Sequence, residues 1–400
     1  MTPKIQLAEL EIEPILTSLN ISRVKTEDIP DLIQDAINDP DPSSTFMRMF
    51  YILQTLGQGD LALDMQAKAL ALRSLYRIVE PSRSEIRLLA LMGPGDMMDN
   101  TPLEFIIENS GIRLDLLFLS LDQPLPEIIP DHDVAIVALS ESDKNRRLLA
   151  HMEELYAIWP RPILNQPAHV MRCARDTASQ LLSGIPGLHI SSTQRIRGRE
   201  LDEVSFPLTI RPVGSHAGQG FAKLDSAAEL PPYFEAYPAP GYYISAYVDY
   251  RSADGLFRKY RIALIDGQPF LCHLAISDHW MVHYLSANMA SSKAKCNEEA
   301  MAMENFDTGF ALHHGKALSA ISERLGLEYL VLDCAEMPDG SLLLFEADIA
   351  GLIHATDCDQ AFGYKAKAMQ KAFAAFKNML TKRLMISSRL MNSHWGVSNR

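Results

Sequence analysis

Cysteine is scarce in this chain and poorly placed for cross-linking. Cys173, Cys272, Cys296, Cys334 and Cys358 are odd in number, widely spaced and contain no CxxC pair, which argues against a disulfide framework and against a zinc site. They read as small buried apolar residues. No apolar run approaches a membrane span. The opening stretch "MTPKIQLAELEIEPIL" has no charged lead followed by an apolar core and a cleavage site, so a cytoplasmic address is expected. Basic residues are in deficit: 37 Lys and Arg against 50 Asp and Glu give a net charge of −13, with no local basic patch, so a nucleic-acid backbone is repelled. The glycine motifs of common nucleotide folds are also incomplete. "GPGDMMDN" lacks the third glycine of GxGxxG and reads as a tight turn, and a Walker loop would need glycine and lysine where Gln219 and Gly220 stand. What remains is a globular composition, 47% hydrophobic and 22% charged over 400 residues, enough for two or three packed domains.

Periodicity divides the chain. Residues 1–83 read as helices throughout, because Phe46, Met49, Phe50, Leu53 and Leu56, and then Leu61, Met65, Leu72 and Tyr76, recur at three- and four-residue steps. No internal period appears, so the module reads as a packing appendage rather than a solenoid. Residues 84–165 alternate strand, turn and helix: "IRLLALM", "LDLLFLSL" and "VAIVALS" are apolar strands, and "TPLEFIIENSG" carries Thr101 as N-cap, Pro102 at the first helical position, Glu104 closing a capping box and Gly111 at the stop. This predicts a small parallel sheet. Residues 166–382 are richer in antiparallel signals, with "GYYISAYVDY", a "DGQP" turn inside "KYRIALIDGQPFLCHLAI", and a hairpin around "PDG" in "EYLVLDCAEMPDGSLLLFEAD". A long helix, "YKAKAMQKAFAAFKNMLTKRL", follows, and residues 383–400 read as a loose tail.

Two stretches carry chemistry. In the "PDG" hairpin, a two-residue turn sets Leu344 opposite Asp333 and Glu346 opposite Val331, placing Asp333, Glu346 and Asp348 on one face. A three-residue turn with a bulged Gly340 flips the register and separates Asp333 from Glu346. Three carboxylates on one face need a cation, and an incomplete oxygen set suits Mg²⁺ completed by phosphate and water. A solvated acidic face is the plainer alternative, although these carboxylates interrupt otherwise apolar strands. The second stretch, "FPLTIRPVGSHAGQGFAKL", runs an apolar strand into Arg211 and then crowds Gly214, Gly218 and Gly220 together. Glycine-dense turns let backbone N–H groups approach a ligand, and the adjacent cation points to an anion.

A glycine flap with a cation at its base, followed by a magnesium hairpin, resembles the ATP-grasp superfamily over roughly residues 85–380. The pieces stand in the family's order: a small sheet domain, "TIRPVGSHAGQG", the hinge strand "YYISAYVDY", the arginine strand "KYRIALIDG", and "VLDCAE" with "LFEAD". Within that superfamily the chain looks most like the glutathione synthetase and ribosomal-protein glutamate ligase branch; the helical front segment is not covered. The resemblance implies an α/β and α+β chain with an N-terminal helical module, a small parallel-sheet pre-ATP-grasp domain and a two-lobed ATP-grasp domain. It implies ATP and Mg²⁺. Arg211 would take the place of the usual phosphate lysine, with Arg175 near a second such position. Gly214, Ser215, His216, Gly218 and Gly220 would form the flap. Ser245, Tyr247 and Asp249 would line adenine and ribose, Arg261 would face the γ-phosphate as the catalytic cation, and Asp333, Glu346 and Asp348 would hold magnesium. Three positions depart from the family pattern: arginine for lysine at 211, alanine for glutamate at 246, and aspartate for asparagine at 348.

The implied activity is an ADP-forming carboxylate–amine ligase working through an acyl phosphate on small-molecule or peptide substrates. No nucleic-acid or membrane partner is expected, and a homo-oligomer is admissible. A phosphotransferase on the same scaffold and a nucleotide-binding regulator with blunted catalysis are the alternatives. "CHLAISDHWMVHYLSANM" follows the arginine strand and supplies His273, His279, Trp280, His283 and Tyr284 as candidate substrate contacts. His279 and His283, four residues apart, suit a helical metal pair only with a third ligand, and otherwise read as hydrogen-bonded structural residues.

Overall fold

The strands of the first sheet form because their sequences are apolar on both faces. In Ile86–Met92, Ile112–Phe118 and Val134–Val137 almost every residue is buried, the pattern of a parallel sheet covered on both sides. Pairing is parallel, with Leu88 opposite Leu114 on one side and Val134 on the other. Ile163–Leu164 extends this sheet in parallel, and Leu75–Val79 closes the opposite edge in antiparallel fashion. The computed structural model describes residues 5–15, 18–23, 26–198, 204–215, 218–284, 286–356 and 362–397.

The parallel sheet expected over 84–165 is therefore present, with one strand recruited from the helical module. Tyr76, which continues a helical spacing in the sequence, lies in that edge strand, and the helix before it, Gly59–Leu72, ends at Leu72. In so short a run the periods of 2 and 3.6 cannot be separated. The tertiary reason for a strand is Arg77, which sits opposite Asp115 and donates to its carboxylate through Nε at 2.7 Å and Nη2 at 3.2 Å. Gln6–Ala8 is also a strand, parallel to Ile128–Pro130. Helix Gly59–Leu72 buries Ala62, Gln66 and Ala69, whereas Leu61 and Leu72 are 50% and 60% exposed. The predicted Thr101 helix shrinks to Leu103–Ile106. Thr101 Oγ1 donates instead to the carbonyls of Ala138 and Ile349 at 3.3 and 3.0 Å, so no capping box forms, and burial pushes the Glu104 carboxyl up to about 7.

Gln66 ties the helical module to the "GPGD" turn. Its amide nitrogen donates to the Gly95 carbonyl at 2.9 Å, and the Gly95 N–H donates to its amide oxygen at 2.8 Å, both in buried surroundings. Gln66→Ala leaves two buried backbone groups unpaired, at a cost of about 1–3 kcal/mol. We expect a lower urea midpoint for the variant, and a midpoint equal to wild type would contradict the clamp.

The remainder is built from two antiparallel sheets. One orders Ala222–Leu224, Leu208–Pro212, Gly241–Ala246 and Thr193–Arg197, and packs helix Leu230–Ala236 over its own apolar cluster. The other orders Gln268–Ser277, Phe257–Ile265, Tyr329–Glu336 and Leu342–Asp348, with Leu188–His189 added in parallel. The mixed α/β and α+β class expected from the sequence is the one observed. The final helix runs from Lys365 to Val397, so the tail expected from residue 383 is helical through Val397. Met369, Ala372, Phe376, Met379 and Leu380 seat the helix in the core shared with the helical module and the parallel sheet. Beyond them Lys382 reaches Asp266 and Arg383 reaches Glu328. Among the described residues, no helix is long and apolar enough to cross a membrane.

Candidate functional site

The acidic hairpin adopts neither register read from the sequence in pure form. Met337 N–H donates to the Ser341 carbonyl and Gly340 has φ +81°, which makes the connection a three-residue turn. Taken alone, that turn would put Phe345 opposite Asp333 and turn Glu346 to the other face. An irregularity at Phe345 adds one residue to the return strand, so Cys334 pairs with Leu344 while Asp333 pairs with Glu346 and Val331 with Asp348. Turn and bulge cancel, and the carboxylates of Asp333, Glu346 and Asp348 share a face after all. Across the other edge of the same strand, Arg261 pairs with Asp333. Arg261, Asp333 and Glu346 thus form one row across three strands.

This row faces the glycine-flap sheet across a cavity of about 790 Å³. Thr209, Arg211, Tyr243 and Ser245 line it from the flap sheet, and Lys259, Arg261, Asp333, Glu346 and Asp348 from the other. A side cavity of about 50 Å³ joins Arg175, Arg211, Gly214 and Ser215 to Glu346 and Asp348. Arg211 and Glu346, 135 positions apart in the sequence, therefore border the same space. The wall of the larger cavity carries Arg175, Arg211, Lys259, Arg261 and Lys365 against Asp333, Glu346 and Asp348. Cations exceed carboxylates there although the chain as a whole carries −13, so the cavity favours an anionic ligand.

Each charge is held in a definite way. Arg211, 8% exposed, donates from Nε to Ser215 Oγ at 3.1 Å and from Nη2 to the Ser215 carbonyl. Burial, and then the neighbouring Arg175 charge, lower its guanidinium to about 10. Arg175 opens helix Arg175–Leu181 and pairs with Glu346. Burial pushes the Glu346 carboxyl up, but Arg175 and Arg211 outweigh it and hold the group below its usual range. Asp333 is buried too, yet Arg261 and Lys259 keep it well below the usual carboxylate range. Arg261 grips it with Nε on Oδ1 at 2.8 Å and Nη2 on Oδ2 at 3.0 Å, while Lys259 Nζ reaches Oδ2 at 3.0 Å. This two-point clasp fixes the plane of the Arg261 guanidinium, whose Nη1 donates to the Leu352 carbonyl at 3.3 Å.

Asp348 stands apart. Burial, and then the Glu346 charge, push its carboxyl up to about 7. A carboxyl raised above its unfolded value of 3.8 keeps a proton that the unfolded chain has released, so the stability it contributes falls as pH rises from about 4 to about 7. Asp348→Asn removes this dependence. In chelator, we expect the variant's Tm to gain on wild type across that window, and parallel Tm profiles would contradict the assignment. The donor set fits magnesium: Glu346 and Asp348 are adjacent carboxylates, the second lacking a cation strong enough to ionise it fully, and Asp333 Oδ1 accepts one hydrogen bond and retains a lone pair.

The flap and hinge residues divide. Gly214, Gly218 and Gly220 have φ of +78°, +78° and +64°, the left-handed backbone that glycine alone adopts freely. Gly214 and Ser215 border the small cavity and Gly218 the large one. Gly220 borders neither; a Cβ there would lie 2.8 Å from Pro212 Cδ, so its role is the close turn itself. His216 lies outside the described residues. Ser245 and Tyr247 line the cavity, with Ser245 Oγ 2.9 Å from Thr193 Oγ1. Asp249 is not brought in: its exposed carboxylate pairs with Arg251 at 2.9 Å. His279 and His283 are not on a helix, which removes the spacing argument for a metal pair. His273, Trp280, His283 and Tyr284 do line the cavity. Sequence reasoning passed over Lys259 and Lys365. Lys259 was within reach, being two residues before Arg261 and so on the same face of the strand. Lys365, the first residue of the last helix, gave no such signal.

No protein-family model and no curated protein matches the chain. Solved structures do. The chain is similar to the VanG D-Ala:D-Ser ligase from Enterococcus faecalis, at 10% identity over 76% of this chain and 100% of that one, with a TM-score of 0.48. It is similar to the D-alanine–D-alanine ligase from Bacillus anthracis complexed with ATP, at 14% identity over 76% and 98%, with a TM-score of 0.44. A RimK domain ATP-grasp protein from Sphaerobacter thermophilus matches at 15% identity over 74% and 99%, with a TM-score of 0.42. These scores fall below one half, and the site is built from this chain's own side chains.

Proposed function

We propose that this chain is an ATP-grasp protein acting as an ADP-forming carboxylate–amine ligase. The observation that carries the reading is the convergence of the Arg211 flap strand and the Glu346–Asp348 hairpin on one cavity whose wall holds more cations than anions. A carboxylate oxygen of one substrate forms a bond to the γ-phosphorus of ATP as the bond from that phosphorus to the bridging oxygen breaks, releasing ADP. An amine then bonds to the acyl carbon, phosphate leaves, and the amine's proton passes to solvent. Arg175 and Arg211 bind and orient the phosphates, and Arg261, held flat by Asp333, offsets charge on the transferring group. Gly214, Ser215 and Gly218, which border the two cavities, would help exclude water that would hydrolyse the acyl phosphate. Glu346 and Asp348, with Asp333 Oδ1, would hold magnesium, which neutralises phosphoryl oxygens when bound.

The test is ADP release over amino acids, small peptides and polyamines, offered singly and in pairs with ATP and magnesium. Turnover that requires both an acid and an amine is the expected result. A phosphorylated product formed without an amine would replace the ligase by a phosphotransferase. A magnesium-dependent thermal shift with ATP but no ADP from any pair would replace it by a nucleotide-binding regulator.

A further inference from the structure

On the turn side of the acidic hairpin lies a second group of potential ligands, outside the cavity. His313 ends the short helix Phe310–His313, His314 precedes helix Gly315–Leu325, and Glu336 ends the strand that carries Asp333. One ligand atom from each lies within 4.8 Å of the other two. We propose that His313, His314 and Glu336 form a binding site for a divalent transition metal such as zinc, separate from the proposed nucleotide site and independent of the ligase reading.

The donor chemistry selects the ion. Two imidazole nitrogens and one carboxylate oxygen suit zinc and its neighbours rather than magnesium or calcium, which prefer oxygen alone. With zinc–ligand bonds of about 2.1 Å, tetrahedral donors stand about 3.4 Å apart. His314 Nε2 and Glu336 Oε2 are 2.9 Å apart, so seating an ion takes side-chain shifts on the order of 1 Å. The existing hydrogen bonds show how the imidazoles would serve. His313 Nε2 lies 3.0 Å from the Gly340 carbonyl, which can only accept, so that nitrogen carries the proton and Nδ1 keeps the lone pair. A ligating histidine commonly donates its other N–H to a backbone carbonyl in this way. His314 Nε2 donates to the Glu336 carboxylate; an ion entering between them takes the Nε2 lone pair, and the single ring proton moves to Nδ1, so none is lost in net.

The mechanics suit a clip. His314 is 3% exposed and wedged against Phe310, ring centroids 4.4 Å apart, which fixes one ligand rigidly. His313 and Glu336 are exposed, so an ion reaches the site from solvent and one coordination position stays open. Bound there, the metal would join the end of strand Tyr329–Glu336 to the start of helix Gly315–Leu325.

The experiment uses the full chain stripped with chelator and titrated with Zn²⁺ by calorimetry in excess Mg²⁺, with the absorption of Co²⁺ as a second readout of tetrahedral ligation. One Zn²⁺ per chain, undisturbed by magnesium, is expected, with His313→Ala and Glu336→Gln each weakening it by about tenfold or more. Both substitutions are at exposed positions, so folding is preserved, and far-UV dichroism checks it. Absence of saturable Zn²⁺ uptake, displacement by magnesium, or unchanged affinity in either variant would overturn the site.

Discussion

On the proposed ligase reading, Glu346→Gln is expected to lower ADP formation by about 10²–10³-fold, the usual cost of removing one preorganised charge from a transition-state site. The substitution keeps size and hydrogen-bonding shape and removes only charge, so the loss isolates electrostatics. Glu346 is the carboxylate that Arg175 and Arg211 share. Without it those cations face the cavity uncompensated, and ATP in the absence of magnesium should bind at least as well as to wild type. Magnesium, in contrast, would lose a proposed ligand and should no longer improve nucleotide binding. The measurement is a coupled ADP assay with a substrate pair from the release panel, together with ATP titrations with and without magnesium. Turnover near wild type, or an intact magnesium dependence, would remove Glu346 from the site.

Arg261→Ala should separate turnover from affinity. The Arg261 guanidinium is clasped by Asp333, which pairs with it across the strands, and one edge donates to the Leu352 carbonyl. In the proposed ligase Arg175 and Arg211, which lie toward Glu346, would hold nucleotide in the ground state, whereas Arg261 would contribute where charge develops on the phosphoryl group. Its loss is expected to reduce kcat by about 10²–10³-fold with little change in ATP affinity. Arg261→Lys restores charge without the two-point fork and should recover only part of the rate. Equal losses in kcat and in ATP affinity would make Arg261 a binding residue.

The sequence shows most where one physical constraint dominates. The strands Ile86–Met92, Ile112–Phe118 and Val134–Val137 are buried on both faces and read as unbroken apolar runs. Arg211 and Glu346 belong to different sheets and meet across the cavity between them, and the order of the motifs was enough to anticipate it. Legibility fails where two constraints compete. Tyr76 fits a helical step and a strand equally, and the Arg77–Asp115 pair that decides for a strand links residues 38 apart. Thr101 has a helix-capping sequence, but the carbonyls of Ala138 and Ile349 claim its hydroxyl. Asp249 follows the hinge strand closely enough to suggest a ribose contact, and Arg251 two residues later takes its carboxylate. The role of Asp333 as the brace of Arg261 is likewise a property of cross-strand pairing, invisible in a list of acidic positions.

The cancellation between the Gly340 turn and the Phe345 irregularity imposes a rule of parity on this hairpin. Removing one residue between Asp333 and Glu346, or adding one, turns every side chain beyond the change to the opposite side of the sheet and carries Glu346 away from Arg211. Changes made in twos leave the alternation intact. In the proposed site the length of this loop therefore counts as much as the carboxylates it delivers, and length changes are expected to preserve that site only in even steps.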